Sequence, residues 1–155
     1  MIAVLQRVKK AAVAVDGEPV GSCAHGLLIL LGVSVEDSEE DCRLLAEKIL
    51  RLRIFEDEGG KMNLSLLDVG GEALVISNFT LCADYAHGNR PSYFAAARPE
   101  QAEPLYLDFA ARMRAGLSHV GCGRFGADMQ IDMTADGPVT IVMESDKLRR
   151  GRGDR

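Results

Sequence analysis

No stretch of the 155-residue sequence is apolar for long enough to cross a bilayer. The longest run, "LLILLGV" from Leu27 to Val33, is far short of the ~20 residues a spanning helix needs. The opening "MIAVLQRVKK" has no basic segment followed by an apolar one, so no export signal is read and a cytoplasmic protein without a membrane partner is expected. Cysteine is sparse: Cys23, Cys42, Cys82 and Cys122 are widely spaced, with no C-x-x-C pair. That excludes the familiar zinc-knuckle and disulfide patterns and suggests reduced, mostly buried thiols. An excess of positive charge is missing as well. With 18 basic and 23 acidic residues the formal charge is -5, which weighs mildly against a nucleic-acid partner for the chain as a whole. Neither G-x-x-x-x-G-K-[ST] nor G-x-G-x-x-G occurs, so no nucleotide cofactor is expected. No metal site is read either.

What is present suits one soluble domain. The chain is 47% hydrophobic and 26% charged, without repeats or low-complexity tracts, and its length supports a single core that buries roughly 70% of the unfolded surface. Residues 1–146 are read as that domain. "KLRRGRGDR", residues 147–155, holds five basic residues and one acid and is read as a basic, flexible tail.

"IAVLQRV" and "AAVAVDGEPVGS" alternate and are rich in β-branched residues, with "DGEP" as turn chemistry, and "GLLILLGV" reads as a strand buried on both faces. In "DSEEDCRLLAEKILRLRIF", Leu45, Ile49 and Leu52 recur at helical spacing behind a capping-box pair, Ser38 and Asp41. "EALVISNFTL" returns to strand character and ends in the polar residues Ser77, Asn78 and Thr80. "RPEQAEPLYLDFAARMRAGL" predicts a second helix, with Pro99 in its first turn and Pro104 able to shorten or offset its start. "DMQIDMT" and "VTIVMES" read as two strands around "ADGP". The pattern predicts an α+β domain with a mostly antiparallel, barrel-like sheet and two main helices.

Chemistry is harder to find. His25, His87 and His119 are isolated. His87 is the one near a polar strand end, where it could serve Thr80 as a general base, although a lone loop histidine is more often solvated. Hydrolysis without a side-chain nucleophile requires an activated substrate and backbone N–H groups facing the oxyanion, worth roughly 100- to 1,000-fold per donor. Gly137 and Pro138 place the most restricted residue directly after the most permissive one. On its own that pair reads as a hairpin turn.

Five motifs in register narrow the choice: "GKMN" (60–63), "SNFTLCAD" (77–84), "GNRPSY" (88–93), "FGADM" (125–129) and "DGPVT" (136–140). In order and approximate spacing they resemble the D-aminoacyl-tRNA deacylase family, over nearly the whole chain from "LQRV" to "VMES". Two positions depart from the family pattern, Asn78 where glutamine is usual and Ala135 where asparagine is usual. The resemblance implies a homodimer with sites at the subunit interface, each receiving the Gly137–Pro138 pair from the neighbouring subunit with the Gly-Pro peptide cis. The carbonyl oxygens of that pair would hold the substrate's α-amino group, and the backbone would leave no room for an L side chain. Glycine, having no side chain, would be accepted.

By the same resemblance Ser77, Asn78, Phe79 and Thr80 lie opposite this wall. The N–H groups around Phe79 and Thr80 would face the oxyanion, and the 2'-hydroxyl of the terminal adenosine would help activate water. Arg7 would hold the inserted pair, against the plainer reading of a solvated strand-end charge. Met129 would line the adenosine pocket, against the plainer reading of a core methionine. The implied activity is hydrolysis of D-aminoacyl esters at the 3' end of tRNA, without cofactor or metal. Its rivals are a related deacylase of relaxed chirality, which the intact "FTL" after Ser77 disfavours, and a non-catalytic nucleic-acid-binding module using the basic tail.

Overall fold

Alternating apolar residues draw the amino-terminal segment into one long strand, β1 (Ile2–Val15), with a largely alternating burial pattern. The tight turn at Asp16 and Gly17, both at positive φ, leads into β2 (Glu18–Cys23), antiparallel to the second half of β1. β3 (Gly26–Gly32) then pairs antiparallel with its first half. The computed structural model describes the backbone of residues 1–153 and the side chains of residues 1–151, so Asp154 and Arg155 of the basic segment lie outside the described residues.

α1 (Glu39–Arg51) starts at the predicted capping box, where the Ser38 N–H donates to Asp41 Oδ2 at 2.9 Å. A short hairpin of β4 (Phe55–Glu56) and β5 (Met62–Leu64) follows, and the chain then enters the sheet again as β6 (Glu72–Ser77), parallel to β3. α2 (Pro99–Gly116) carries it to β7 (Val120–Cys122), parallel to β6. Pro104 lies inside α2, so the helix is not displaced by it. The last strand, β8 (Gln130–Glu144), runs antiparallel along nearly the whole of β1.

The sheet is therefore mixed: β1 pairs antiparallel with β2, β3 and β8, while β3, β6 and β7 are parallel. Connections that pass through α1 and α2 return the chain to the same end of the sheet, and such crossovers produce parallel neighbours where hairpins produce antiparallel ones. It is also nearly closed. A Cβ on Gly21 of β2 would stand 2.3 Å from the Cys122 carbonyl oxygen, and one on Gly121 of β7 would stand 2.4 Å from that of Ser22. Glycine at both positions lets the two strands touch.

Both faces of β3 are covered, as its continuous apolar run requires. Leu27, Ile29 and Leu31 join Leu45 and Ile49 of α1 and Phe109 and Met113 of α2 in the main core. Leu28, Leu74 and Ile76 form a smaller cluster with Val8 and Val13, against which Leu30 and Met129 pack. No described helix is long and apolar enough to cross a membrane.

A third helix, α3 (Ser145–Gly153), begins where β8 ends and takes in most of the basic segment. Its Ser145 N–H donates to the Met1 carbonyl at 2.9 Å, and the Met1 ammonium donates to Ser145 Oγ at 2.8 Å and pairs with buried Asp37. Arg149 reaches the fully buried carboxylate of Asp41 at 3.1 Å.

Candidate active site

The carboxyl ends of β3 and β6 lie side by side, with Leu31 paired to Ser77, and a cleft opens beyond them. Crevices of this kind, outside the carboxyl ends of parallel strands, are where ligands settle in α/β sheets. The strand stops at Ser77. Asn78 still donates its N–H to the Leu31 carbonyl at 2.8 Å, and Phe79–Cys82 then wind into one 3-10 turn. The N–H groups of Phe79 and Thr80 open this turn and have no acceptor among the described residues. Unpaired N–H groups of this kind are available to a negatively charged oxygen.

The cleft has a volume of about 720 Å³, and Ser77, Asn78, Phe79, Thr80 and Met129 all line it. Its floor is apolar, from Leu30 and Ile76, and its rim carries the charges of Arg98 and Asp128. Phe79 is 56% exposed, and its ring meets that of Tyr93 edge to face, centroids 5.1 Å apart. Thr80 Oγ1 donates to Asn78 Oδ1 at 2.5 Å, so its hydroxyl is engaged within the turn. His87 sits in the exposed loop beyond and makes no bond to Thr80. Met129 is half-buried; it lines the cleft and packs on the smaller core cluster.

Gly137 and Pro138 are elsewhere. They are exposed, the peptide between them is cis, and neither lines the cleft of their own chain. Nor do they form a hairpin turn. β8 runs straight through them, and the register with β1 jumps from Gln6 opposite Thr140 to Val8 opposite Ala135. Asp136, Gly137, Pro138 and Val139 thus stand opposite the single residue Arg7, a wide bulge within one strand.

Arg7 is not a solvated strand-end charge: only 5% of it is exposed. Its Nε donates to the Asp136 carbonyl at 3.1 Å and lies 3.2 Å from the Asp136 carboxylate, while its terminal nitrogen donates to the Ile54 carbonyl at 2.7 Å. Lys9 at 3.5 Å and His25 at 3.8 Å complete the surroundings of that carboxylate.

Sequence reading alone missed Arg98 and Tyr93 as cleft residues. The signal for Arg98 was its place immediately before Pro99, where a helix begins; the signal for Tyr93 was its membership of "GNRPSY". The thiols of Cys23, Cys42 and Cys82 are buried and free, and burial pushes Cys23 up to about 11 and Cys42 up to about 12. Among the described residues no three metal-ligating side chains converge.

The sequence profile of the D-Tyr-tRNA(Tyr) deacylase family matches residues 4–144. The chain belongs to that family. A relative named D-aminoacyl-tRNA deacylase from Chloroflexus aurantiacus is 59% identical over 152 residues, 98% of this chain and 95% of the relative. One of the same name from Thermus aquaticus is 53% identical over 145 residues, 94% of this chain and 95% of the relative. Among solved structures, the c-Myc DNA Unwinding Element Binding Protein superposes with a TM-score of 0.88 at 41% identity, covering 93% of this chain and 98% of that one. A probable eukaryotic D-amino acid tRNA deacylase superposes with a TM-score of 0.80 at 17% identity, covering 92% and 97%, and shares the fold.

Proposed function

We propose that this chain hydrolyses the ester bond between a D-amino acid, or glycine, and the 3' end of tRNA, acting as a homodimer in the cytoplasm. Water attacks the carbonyl carbon, the acyl–oxygen bond breaks, and the ribose oxygen takes up a proton, releasing free amino acid and tRNA. The observation that carries the reading is the pair of unengaged N–H groups of Phe79 and Thr80 at the mouth of the cleft, in a chain of this family. They face the position where negative charge develops on the carbonyl oxygen. The 2'-hydroxyl of the terminal adenosine orients the attacking water, and Met129 lines the adenosine side of the cleft.

Chirality is judged by the Gly137–Pro138 pair of the partner subunit, whose carbonyl oxygens receive the α-amino group and whose backbone clashes with an L side chain. Three features support a cross-subunit arrangement. The pair is exposed and absent from its own cleft. Arg7, buried behind it, holds the Asp136 carbonyl. The outer edge of β8 has no strand partner among the described residues and exposes Met133 at 50% and Val142 at 60%, a surface suited to a second copy.

The purified protein incubated with D-tyrosyl-tRNA and L-tyrosyl-tRNA tests the activity: the D ester is cleaved and the L ester persists. Release no faster than in buffer would leave the second reading, a nucleic-acid-binding module, which the DNA-binding name of one similar structure favours. Comparable cleavage of both esters would indicate a deacylase of relaxed chirality. Sedimentation at micromolar protein tests the dimer, and an active monomer would remove the cross-subunit pair from the mechanism.

A further inference from the structure

Side chains of β1 meet the bulge in β8 on both sides of Gly137–Pro138, and Arg7 serves one side by donating to the Asp136 carbonyl. The other side is held by the residue before Arg7. Gln6 Nε2 donates to the Val139 carbonyl at 3.3 Å and to the Arg7 carbonyl at 3.3 Å. Its Oε1 accepts from the Thr140 hydroxyl at 2.5 Å. Both amide protons and the amide oxygen are therefore engaged: the two carbonyls, which can only accept, fix which way the amide faces, and the Thr140 hydroxyl anchors it by donating to its oxygen.

We propose that Gln6, anchored by Thr140, is a second positioning residue for the Gly137–Pro138 pair, an inference that rests on the role given to that pair under the proposed function. The two peptide units whose oxygens meet the substrate are Gly137–Pro138 and Pro138–Val139. They are flanked by Asp136–Gly137, whose oxygen Arg7 holds, and by Val139–Thr140, whose oxygen Gln6 holds. Water could satisfy these exposed carbonyls nearly as well in enthalpy, but it would leave their direction free. Side chains from a paired strand remove that freedom, as a wall that discriminates by clash requires.

The experiment measures turnover of D-tyrosyl-tRNA and L-tyrosyl-tRNA, thermal midpoint and oligomer mass for wild type and four variants. Gln6→Met removes both donors at similar volume; Gln6→Glu places an oxygen against two carbonyls. Thr140→Val removes the hydroxyl that anchors the amide, and Thr140→Ser keeps it. Gln6→Met, Gln6→Glu and Thr140→Val are expected to lower the D-over-L ratio about tenfold, the order of one misplaced hydrogen bond, with wild-type midpoint and mass. Thr140→Ser keeps the ratio. A Gln6 variant that fails to fold leaves the decision to the Thr140 pair. Gly137→Ala, measured alongside, separates the role of Gln6 from that of the pair it serves. If it lowers the ratio while Gln6→Met and Thr140→Val do not, Gln6 has no positioning role. If Gly137→Ala keeps the ratio too, the pair is not the selector and the underlying reading fails first. Parallel loss of D and L turnover together with the midpoint would make Gln6 merely structural and overturn the proposal.

Discussion

Thr80 gives its hydroxyl proton to the side-chain oxygen of Asn78, 2.5 Å away and two residues back in the same turn. The hydroxyl thus has a structural partner, while the backbone N–H of the same residue is unengaged among the described residues. Asn78 in turn lines the cleft with its side-chain oxygen occupied by Thr80.

Thr80→Ala is therefore expected to keep hydrolysis of D-tyrosyl-tRNA within about tenfold of wild type, the loss of one surface hydrogen bond in the turn being small. Single-turnover rates with saturating protein check it. A fall to the rate in buffer, with substrate still bound, would return the hydroxyl to the chemistry.

At Gly137 the backbone φ is +140°, and a Cβ there would lie 2.4 Å from the Val139 nitrogen and 2.9 Å from Val139 Cγ2. Gly137→Ala must shift the bulge to fit, whatever the substrate does. Displacements of about 1 Å at a positioning group cost on the order of 100-fold in rate, and D-tyrosyl-tRNA turnover is expected to fall by that order or to lose its preference over the L ester. Gly137 and Pro138 are exposed, and of the bulge only Val139 packs against the core, at its margin, so circular dichroism and the thermal midpoint should remain close to wild type. Wild-type turnover and preference would make the pair a spacer only.

Burial raises the carboxyl of Asp41, yet hydrogen bonds from Ser145 and Ser38 and the nearby Arg149 guanidinium outweigh it and hold it below the usual carboxylate range. A carboxyl lowered on folding stabilises the native state above its unfolded value, ~3.9, and that contribution is lost as pH falls through the folded value. Asp41→Asn is expected to destabilise by about 1–3 kcal/mol at pH 7, with the gap from wild type narrowing below about pH 4. Urea unfolding across pH measures this. A gap that does not change with pH would assign the effect to packing.

Lys48 and Arg51 of α1 and Lys147 of α3 line a groove of about 740 Å³. If the phosphate backbone of tRNA lies there, Lys147→Gln with Arg150→Gln should reduce the slope of log affinity against log salt by about 1 for each phosphate that a removed cation had neutralised. The D-over-L preference should not move. These substitutions are cleaner than deleting residues 147–155, which would also remove Arg149 from Asp41. Unchanged slopes would exclude α3 from the tRNA-binding surface.

Local structure was legible from the residues alone. The Ser38–Asp41 box marked the start of α1, the unbroken apolar run of β3 announced burial on both faces, and the polar residues from Ser77 to Thr80 marked the end of β6. Each of these depends on neighbours within a few positions, so the sequence carries them directly. What only the tertiary structure decided depends on partners far away in the chain. β3, β6 and β7 are parallel because two helical crossovers return them to one end. Most of the basic segment is helical, with its Arg149 held by Asp41 and the first residue of its helix, Ser145, tied to Met1. Gly137 and Pro138, a turn by every local rule, lie within one continuous strand because β1 runs beside them, and Gln6 and Arg7 supply the hydrogen bonds that a hairpin would have found in its own arms.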